Sequence, residues 1–563
     1  MRKILFILLA TLCWGMNLQA QDSTFNRVVT VERDYQPDIE QATKIKLRPV
    51  ILKEEVEPNP VIYSTYSTPL SVEYNLHPLQ AAKVSFVPQP TLNGVIEGAI
   101  GHRNTHLLFG YRINHKKKMS LDLYANHDAY WGKDALSTSK LGMQVSRHFS
   151  GADLYFGVEG ANESYAYRPT FDWRTIWNIN AKLGVQSTNQ SALQYRIQTG
   201  YNAFTISALA FEHSVRSHLD LWWTNQQHSA GIKAFVQNNF YTTSQTGVTL
   251  PSDRHNIRVE PFYEYKGKQI RVHAGVNIDL NIGTGQLLSN AENISFAPSP
   301  NVQFEWNMMN NIFHLYANAT GQYGLGSWEE YIGYNRYLNE SVGLKWNLPR
   351  AYTPVDAQVG FKIRPTKTLL IDIYGGYAYM IGACNMHAEE RYDHEGLAFY
   401  NLWQSDSDYQ RWKVGANIHY HYRDILELNV GGNYYFYQQE PIPSMDPDSP
   451  HFQENRIKGT HIFDRPNWDI YARIDAHIDS KWSVYSENQF VGSRWAYVMK
   501  YPDGASAEKL RPTISLNIGG QYSVNNWLHV YLQLNNYLNR KNDIFYGYQS
   551  QGCHFLLGVK YKF

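Results

Sequence analysis

Apolar residues recur at every second position through most of the chain, from Gly94 to the carboxyl-terminal Phe563. The final stretch shows this best: alternate positions are apolar, while the intervening ones include Lys560, Lys562 and His554. The apolar set is Cys553, Phe555, Leu557, Val559, Tyr561 and Phe563. A period of two is typical of β-strands whose two faces meet different surroundings. A closed barrel pairs every strand edge, whereas an open amphipathic edge would promote aggregation.

The composition favours a membrane barrel. Aromatic residues make up 14% of the chain, with 42 Tyr and 15 Trp, yet the mean hydropathy is -0.46. Past the amino terminus no run of 18 apolar residues occurs, which excludes transmembrane helices. Strands that are apolar outside and polar inside, with aromatic girdles at both interfaces, give this average. The sequence therefore predicts an all-β protein, a transmembrane antiparallel β-barrel.

Residues 1–20 are predicted to be a secretory signal peptide. Arg2 and Lys3 precede an apolar core, and cleavage is expected after Ala20. A lipoprotein signal at Cys13 is the alternative, which the bulky Leu12 disfavours. The mature chain then has nearly balanced charges, so nothing electrostatic points to nucleic acid. Of the two remaining cysteines, Cys553 falls on the apolar face, so we expect two unpaired thiols rather than a bridge to Cys384.

Residues 21–92 differ from the rest of the chain. Eight prolines, each lacking a backbone donor, rule out a long strand ladder. We expect an irregular, extended periplasmic segment that either folds partly into the barrel lumen or reaches a partner, with simple disorder as the remaining alternative. Its candidate contact residues are Val29, Val31, Tyr35 and Ile39.

Connection lengths predict about 22 strands in residues 93–563. Short turns alternate with long connections, as expected of short periplasmic turns and long outer loops. An even strand number also puts both barrel ends in the periplasm. The short turns lie near 364–367, 423–424, 479–481 and 523–526, and the outer connections near 127–138, 161–172, 204–211, 243–254, 283–297, 323–352, 380–407, 438–465 and 494–510.

The sequence offers little catalytic chemistry. It contains no G-x-S-x-G, Walker A or H-E-x-x-H motif, so we predict no enzyme, although an Asp–His–Ser group near the outer rim is an alternative. The segment 386–395 has two His and four carboxylates, but its spacing matches no metal motif. His419 and His421 are expected to line the lumen. We predict neither a metal nor a cofactor.

The chain end resembles the closing strand of bacterial outer-membrane barrels. Phe563, Tyr561 and Val559 match the terminal signal that the membrane's assembly machinery recognises in those proteins. Strand number, long outer loops and Phe563 together resemble TonB-dependent receptors, and the stretches 27–31 and 49–51 are similar to the opening of their plug. The resemblance implies nutrient import driven from the inner membrane. Residues 21–92 are about half of a complete plug, so a reduced or absent plug is implied.

We therefore expect an outer-membrane barrel that takes up a solute or forms a channel. The alternative is a non-transporting subunit of an outer-membrane assembly or export complex. Expected partners are outer-membrane lipids and a protein in the outer membrane or periplasm, such as a lipoprotein, an energy-coupling protein or assembly machinery. The candidate outer-loop contacts are Trp328, Tyr331, Tyr334, Tyr392, Trp403 and Tyr501.

Overall fold

The structure is a computed structural model. It describes residues 93–563, apart from the following positions: 116–117, 133–134, 168–171, 189–191, 207–209, 244–249, 251–252, 283–293, 310–311, 339–350, 383, 394–395, 406–407, 440–460 and 502.

Most of the described residues lie in β-strands. The strands in the first half of the chain are β1 (Gly94–Gly101), β2 (Asn104–His115), β3 (Met119–Tyr130), β4 (Leu136–His148), β5 (Ala152–Tyr167), β6 (Asp172–Ser187), β7 (Leu193–Ile206), β8 (Ala210–Asn225), β9 (His228–Thr242), β10 (Arg254–Lys266), β11 (Ile270–Ile282), β12 (Ile294–Met308) and β13 (Phe313–Gly324). A helix, α1 (Trp328–Tyr334), follows. The later strands are β14 (Ala351–Thr366), β15 (Leu369–Ile381), β16 (Cys384–Asp393), β17 (Gly396–Ser405), β18 (Tyr409–Tyr422), β19 (Leu426–Gln439), β20 (Trp468–His477), β21 (Trp482–Val491), β22 (Arg494–Lys500), β23 (Gly504–Leu510), β24 (Thr513–Ser523), β25 (Leu528–Asn535), β26 (Asp543–Phe545), β27 (Tyr548–Gln549) and β28 (His554–Lys562).

Twenty-two of these strands form one closed antiparallel sheet, which confirms the predicted barrel and strand number. The first strand, β1, pairs with the last, β28, so the sheet has no edge. At this seam the Gly94 amide donates to the Phe563 carbonyl at 2.7 Å, and the Phe563 amide donates back at 3.0 Å. Glu97 stands directly opposite Lys560 across the seam, with both side chains turned inward and buried.

The outer surface of the barrel is apolar, as the alternation predicts. Leu107, Leu141 and Val414 are each more than half exposed, while their sequence neighbours face the lumen. Exposed tryptophans gather near both ends of the strands, as in the aromatic girdles of a membrane barrel. One group is Trp131, Trp173, Trp177 and Trp412, and the other is Trp223, Trp306, Trp482 and Trp527.

Connection lengths differ at the two ends. The turns that follow even-numbered strands from β2 to β14 are short, and those at 423–425, 478–481 and 524–527 continue the series. Long connections, such as 243–253 and 283–293, lie at the opposite end, whereas the connections at that end before residue 210 are as short as the turns. This asymmetry makes the short-turn end periplasmic and the long-loop end the outer one. No helix among the described residues is long and apolar enough to cross a membrane.

Inward-facing tyrosines fasten neighbouring strands to one another. Tyr155, for example, lies across Gly184 of the next strand and donates to Gln198 of the strand beyond at 2.7 Å. A Cβ on each facing glycine would lie 2.2–2.5 Å from the ring, so no larger residue fits without movement. The described part of the barrel has seven such Tyr–Gly pairs: Tyr124–Gly142, Tyr155–Gly184, Tyr316–Gly360, Tyr374–Gly415, Tyr471–Gly431, Tyr485–Gly519 and Tyr531–Gly558.

The outer connections contain structure that the sequence did not reveal. The segments predicted as loops at 380–407 and 494–510 contain β16, β17, β22 and β23, which form a separate four-stranded sheet, here called the outer sheet. The expectation that Cys553 lies on the apolar face of the last strand was wrong. Strand β28 begins at His554, and Cys553 is a half-buried free thiol just before it.

Candidate functional site

The outer mouth of the barrel contains a segment that folds inward, residues 325–338, here called the strap. It includes α1 and lies against the inner wall at the outer ends of β5 to β10. Arg174 and Ile176, which contact the strap, alternate along β6 with the lipid-facing Trp173 and Trp177. The strap therefore lies at the level of the outer tryptophan girdle.

Two buried arginines of the wall bind main-chain carbonyls of the strap. Arg254, fully buried, donates through Nη1 to the carbonyls of Leu325 at 2.6 Å and Gly326 at 3.2 Å. Arg174 donates to the carbonyl of Leu338 at 2.5 Å, with its guanidinium 3.7 Å from the Tyr167 ring centroid. The two ends of the strap are thus held by charge-assisted hydrogen bonds.

A buried carboxylate binds the opposite kind of main-chain group. Glu212, also fully buried, accepts from the amide of Trp328 at 2.6 Å and from that of Glu329 at 3.5 Å. These amides belong to the first turn of α1 and have no partner within the helix. Ser327, the N-cap residue, accepts from the Glu330 amide at 3.1 Å and so satisfies another donor of that turn.

Two ion pairs fix strap side chains to the wall. Glu329 accepts from Arg216 at 2.5 Å and from Asn178 at 3.1 Å. Arg336 lies 2.9 Å from the Glu163 carboxylate. Arg216 lies on β8 and Glu163 on β5, with two strands between them, so the strap is held from two sides.

The apolar side chains of the strap fill a pocket in the wall. Trp328 is only 4% exposed and meets the ring of Tyr241 edge-on, with centroids 5.2 Å apart. The strap contributes Trp328, Tyr331, Ile332 and Leu338 to this buried cluster, and the wall contributes Tyr165, Tyr167, Ile176, Phe204, Ile206, Ala210 and Tyr241. Burying an aromatic side chain of this size is worth about 1.5–3 kcal/mol.

The terminal hairpin, β26 and β27, meets the strap along an aromatic seam. Tyr337 stacks on Tyr548 with centroids 4.0 Å apart, and Tyr334 lies 6.1 Å from Phe545. The strap and the hairpin leave the barrel from different outer connections, so the seam joins two loops across the mouth.

The hairpin is held in turn by the outer sheet. Arg494 of β22 is buried and donates to the main-chain carbonyl of Asp543 at 3.0 Å. Burial lowers the pKa of Arg494 to about 10, with the Asp464 carboxylate acting in the opposite direction, so the guanidinium stays charged at neutral pH. Arg511 forms a fork with the Asp543 carboxylate at 2.8 and 2.9 Å. Tyr546 donates to Glu390 of β16 at 2.6 Å.

Below the strap the lumen wall is polar, with its charges paired. Glu260 accepts from Lys233, His273 and Asn301 at 2.8–3.0 Å. Arg258 binds Asp279 at 2.9 Å. Among the described residues no group of three or more His, Cys, Asp or Glu side chains is arranged to hold a metal ion.

The predicted outer-loop contacts separate into two groups. Trp328, Tyr331 and Tyr334 come together on α1, but they are buried. They face the barrel wall and the aromatic seam between the strap and the hairpin. Tyr501 follows β22 and is 48% exposed. The backbone places Tyr392 and Trp403 on β16 and β17 of the outer sheet. As contacts for a solute or partner, all six stay predictions.

The other predicted site residues divide between the chain ends. Val559, Tyr561 and Phe563 all face outward at the closing seam, as the terminal signal requires; their recognition stays a prediction. Val29, Val31, Tyr35 and Ile39 lie outside the described residues, as does the proposed signal peptide. Sequence reasoning missed the wall residues Arg174, Glu212 and Arg254, since a charged residue at a lumen position of a strand is indistinguishable from any other polar lumen residue.

Solved structures of outer-membrane transporters share this architecture. The copper transporter OprC matches with a TM-score of 0.62 and 12% identity over 84% of this chain and 80% of its own. The FrpB iron transporter of Neisseria meningitidis matches with a TM-score of 0.62 and 9% identity over 84% and 82%. The ferric-catecholate import receptor Fiu of E. coli K12 gives 0.59 and 10% over 84% and 82%.

The chain has the fold of TonB-dependent receptors. Barrels of this kind lie in the bacterial outer membrane. No protein-family model matches the sequence, and no curated protein matches it significantly. At 9–12% identity the TonB-dependent fold is kept without a shared side-chain pattern, so the strap contacts must be interpreted from this chain alone.

Proposed function

We propose that the protein is an uptake receptor of the outer membrane, with binding and passage of a solute rather than catalysis as its activity. The observation that supports this proposal is a 22-stranded barrel with an apolar exterior, a polar lumen and an outer mouth narrowed by its own strap. A barrel of this size encloses a lumen that a transporter must block. The solved structures of similar fold are described as transporters and import receptors.

Residues 21–92 are the proposed periplasmic part of the receptor. Because they precede β1 in the chain, we propose that they enter the lumen or reach a periplasmic partner such as an energy-coupling protein. Val29, Val31, Tyr35 and Ile39 are the proposed contacts. Deletion of residues 22–88 is expected to raise the conductance if the segment fills the lumen, and unchanged conductance would favour docking to a partner.

Conductance of the purified chain in planar bilayers tests the uptake function. We expect a small conductance for the native chain and a larger one for Trp328→Ala, which removes the main anchor of the strap. Tyr537→Ala is the matched control, since it removes an exposed aromatic residue of the outer connections that is not a predicted contact. If none of the three proteins conducts, and a stoichiometric partner co-purifies in mild detergent, the alternative function as a non-transporting subunit would be favoured.

A further inference from the structure

The strap is bound through its main chain as well as through its side chains. Four of its carbonyls and two of its amides are contacted by wall side chains. The carbonyls belong to Leu325, Gly326, Arg336 and Leu338, and the amides to Trp328 and Glu329. Hydrogen bonds to peptide groups recognise a polypeptide whatever its side chains, and pockets for particular side chains then add specificity.

The wall side chains that make these contacts are buried. Arg254 and Glu212 are fully buried, and Arg174 and Tyr165 nearly so. A buried guanidinium or carboxylate is costly unless it is paired, and here the pairing is supplied by peptide carbonyls and amides of a segment more than 70 residues away in sequence. Removal of the strap would break these contacts.

The pocket beside them sets a side-chain preference. It accepts Trp328 against Tyr241, directly after the small residues Gly326 and Ser327. Arg216 and Asn178 bind the carboxylate of the next residue, Glu329. The wall thus contacts an aromatic side chain followed by an acidic one.

We propose that the inner wall formed by the outer ends of β5 to β10 is a peptide-binding site, and that the strap is its resident occupant. The ligand class is a peptide in which an aromatic residue is followed by an acidic one. This deepens the proposed uptake function, because such a peptide would exchange with the strap on entering the lumen. Binding at the wall can nevertheless be measured without transport.

The probe is a fluorescently labelled synthetic peptide with the strap sequence, LGSWEEYIGYNRYL, added to the purified full-length protein in detergent. In the native chain the tethered strap competes with it. In Trp328→Ala the tethered strap is weakened while the wall is unchanged, so we expect the peptide to bind at least about tenfold more tightly than to the native chain. The same peptide with Ala in place of its Trp should bind neither protein measurably.

A second substitution tests whether the peptide binds to the barrel wall. Adding Arg254→Met to Trp328→Ala removes the donor to two carbonyls, and the affinity should fall about tenfold. Adding Arg196→Met, which changes an arginine half exposed to solvent and 3.7 Å from Asp220, should leave the affinity unchanged. If Trp328→Ala loses the heat-modifiable mobility of a folded barrel, Tyr331→Ala replaces it as the strap-loosening variant.

The proposal is overturned if the loosened, folded barrel binds the peptide no better than the native chain, or if Arg254→Met does not weaken binding. It is also overturned if a neutral oligosaccharide displaces the strap and the peptide does not. Peptide binding without uptake into liposomes would leave the site standing and would count against the uptake function alone. Uptake of other solutes without peptide binding would count against the peptide-binding site and leave the uptake function standing.

Discussion

The strap and the terminal hairpin both cover the outer mouth, but they are held in different ways. The strap is bound by the barrel wall itself, through Arg254, Glu212 and Arg174, all buried. The hairpin is bound by other outer connections, through Arg494 and the more exposed Arg511. Exposed ion pairs contribute little because water screens them, whereas the loss of a buried partner is costly.

This difference indicates where the mouth opens. The strap is bonded to the wall and the hairpin to the outer sheet, so the boundary between them is the aromatic seam of Tyr337 with Tyr548 and Tyr334 with Phe545. An aromatic pair contributes about 0.5–1.5 kcal/mol beyond its buried area. We expect the hairpin to separate from the strap first, and the strap to leave the wall only in exchange for a ligand.

The largest expected effect concerns the strap anchor. Trp328→Ala empties an apolar pocket, a change that costs about 3–5 kcal/mol for a buried tryptophan. Amide hydrogen exchange measured by mass spectrometry should show the strap, residues 325–338, losing protection while the barrel strands keep theirs. Unchanged exchange in the strap would break the distinction between a wall-bound and a loop-bound segment.

A somewhat smaller effect is expected at the charged contact. Arg254→Met keeps the volume but removes both hydrogen bonds to the strap carbonyls, and bonds from a charged donor are worth about 1.5–3 kcal/mol. Exchange should accelerate in the strap and not in the hairpin. Arg511→Met is the counterpart on the hairpin side, and we expect it to change exchange in residues 543–549 only. Equal responses in both segments would contradict separate anchoring.

The seam should respond more weakly still. Tyr548→Leu keeps an apolar side chain but removes the ring that stacks on Tyr337, and the expected loss is about 0.5–1.5 kcal/mol. Single-channel recordings should show more frequent openings without a change in the fully open conductance. Tyr537→Ala, on the same outer connection and exposed, serves as the control. A change in open conductance would mean that the strap moves together with the hairpin.

The smallest effect is a pH dependence of the hairpin. Burial alone would raise the pKa of Asp543, but hydrogen bonds from Arg511 hold it below the ordinary value of 3.8. A lowered pKa means that the stabilisation is complete above pH 3.8 and is lost as the pH falls through the lower folded value. The hydrogen exchange of residues 543–549, corrected for intrinsic rates, should therefore stay constant as the pH falls from about 7 to about 4, which is just above the ordinary pKa. Asp543→Asn should remove any change seen in stronger acid.

The barrel itself was predictable in detail. Alternation gave the outward faces, as at Phe555 and Leu557, because a period of two assigns each residue to lipid or lumen once the strand is known. Connection lengths gave the strand number and the orientation. The closing pair of β1 and β28 followed from the need to leave no edge.

The mouth was not predictable in the same way. Trp328, Tyr331 and Tyr334 were chosen as contacts from their loop position, and the structure buries them on α1 instead. Nothing local in the strap, residues 325–338, signals that it folds inward, because its partners are up to about 170 residues away in the chain, as with Tyr165 and Arg336. The outer sheet was missed for a similar reason: β16 pairs with β22, more than 100 residues later.

The sequence by itself determined a closed barrel of alternating strands, since a repeating local pattern is enough to place each side chain on one of two faces. Only the tertiary structure decided what closes the outer mouth. Arg174, Glu212 and Arg254 become a binding wall because strand register brings their side chains to one level of the lumen. That coincidence depends on contacts between strands rather than on any neighbouring residue.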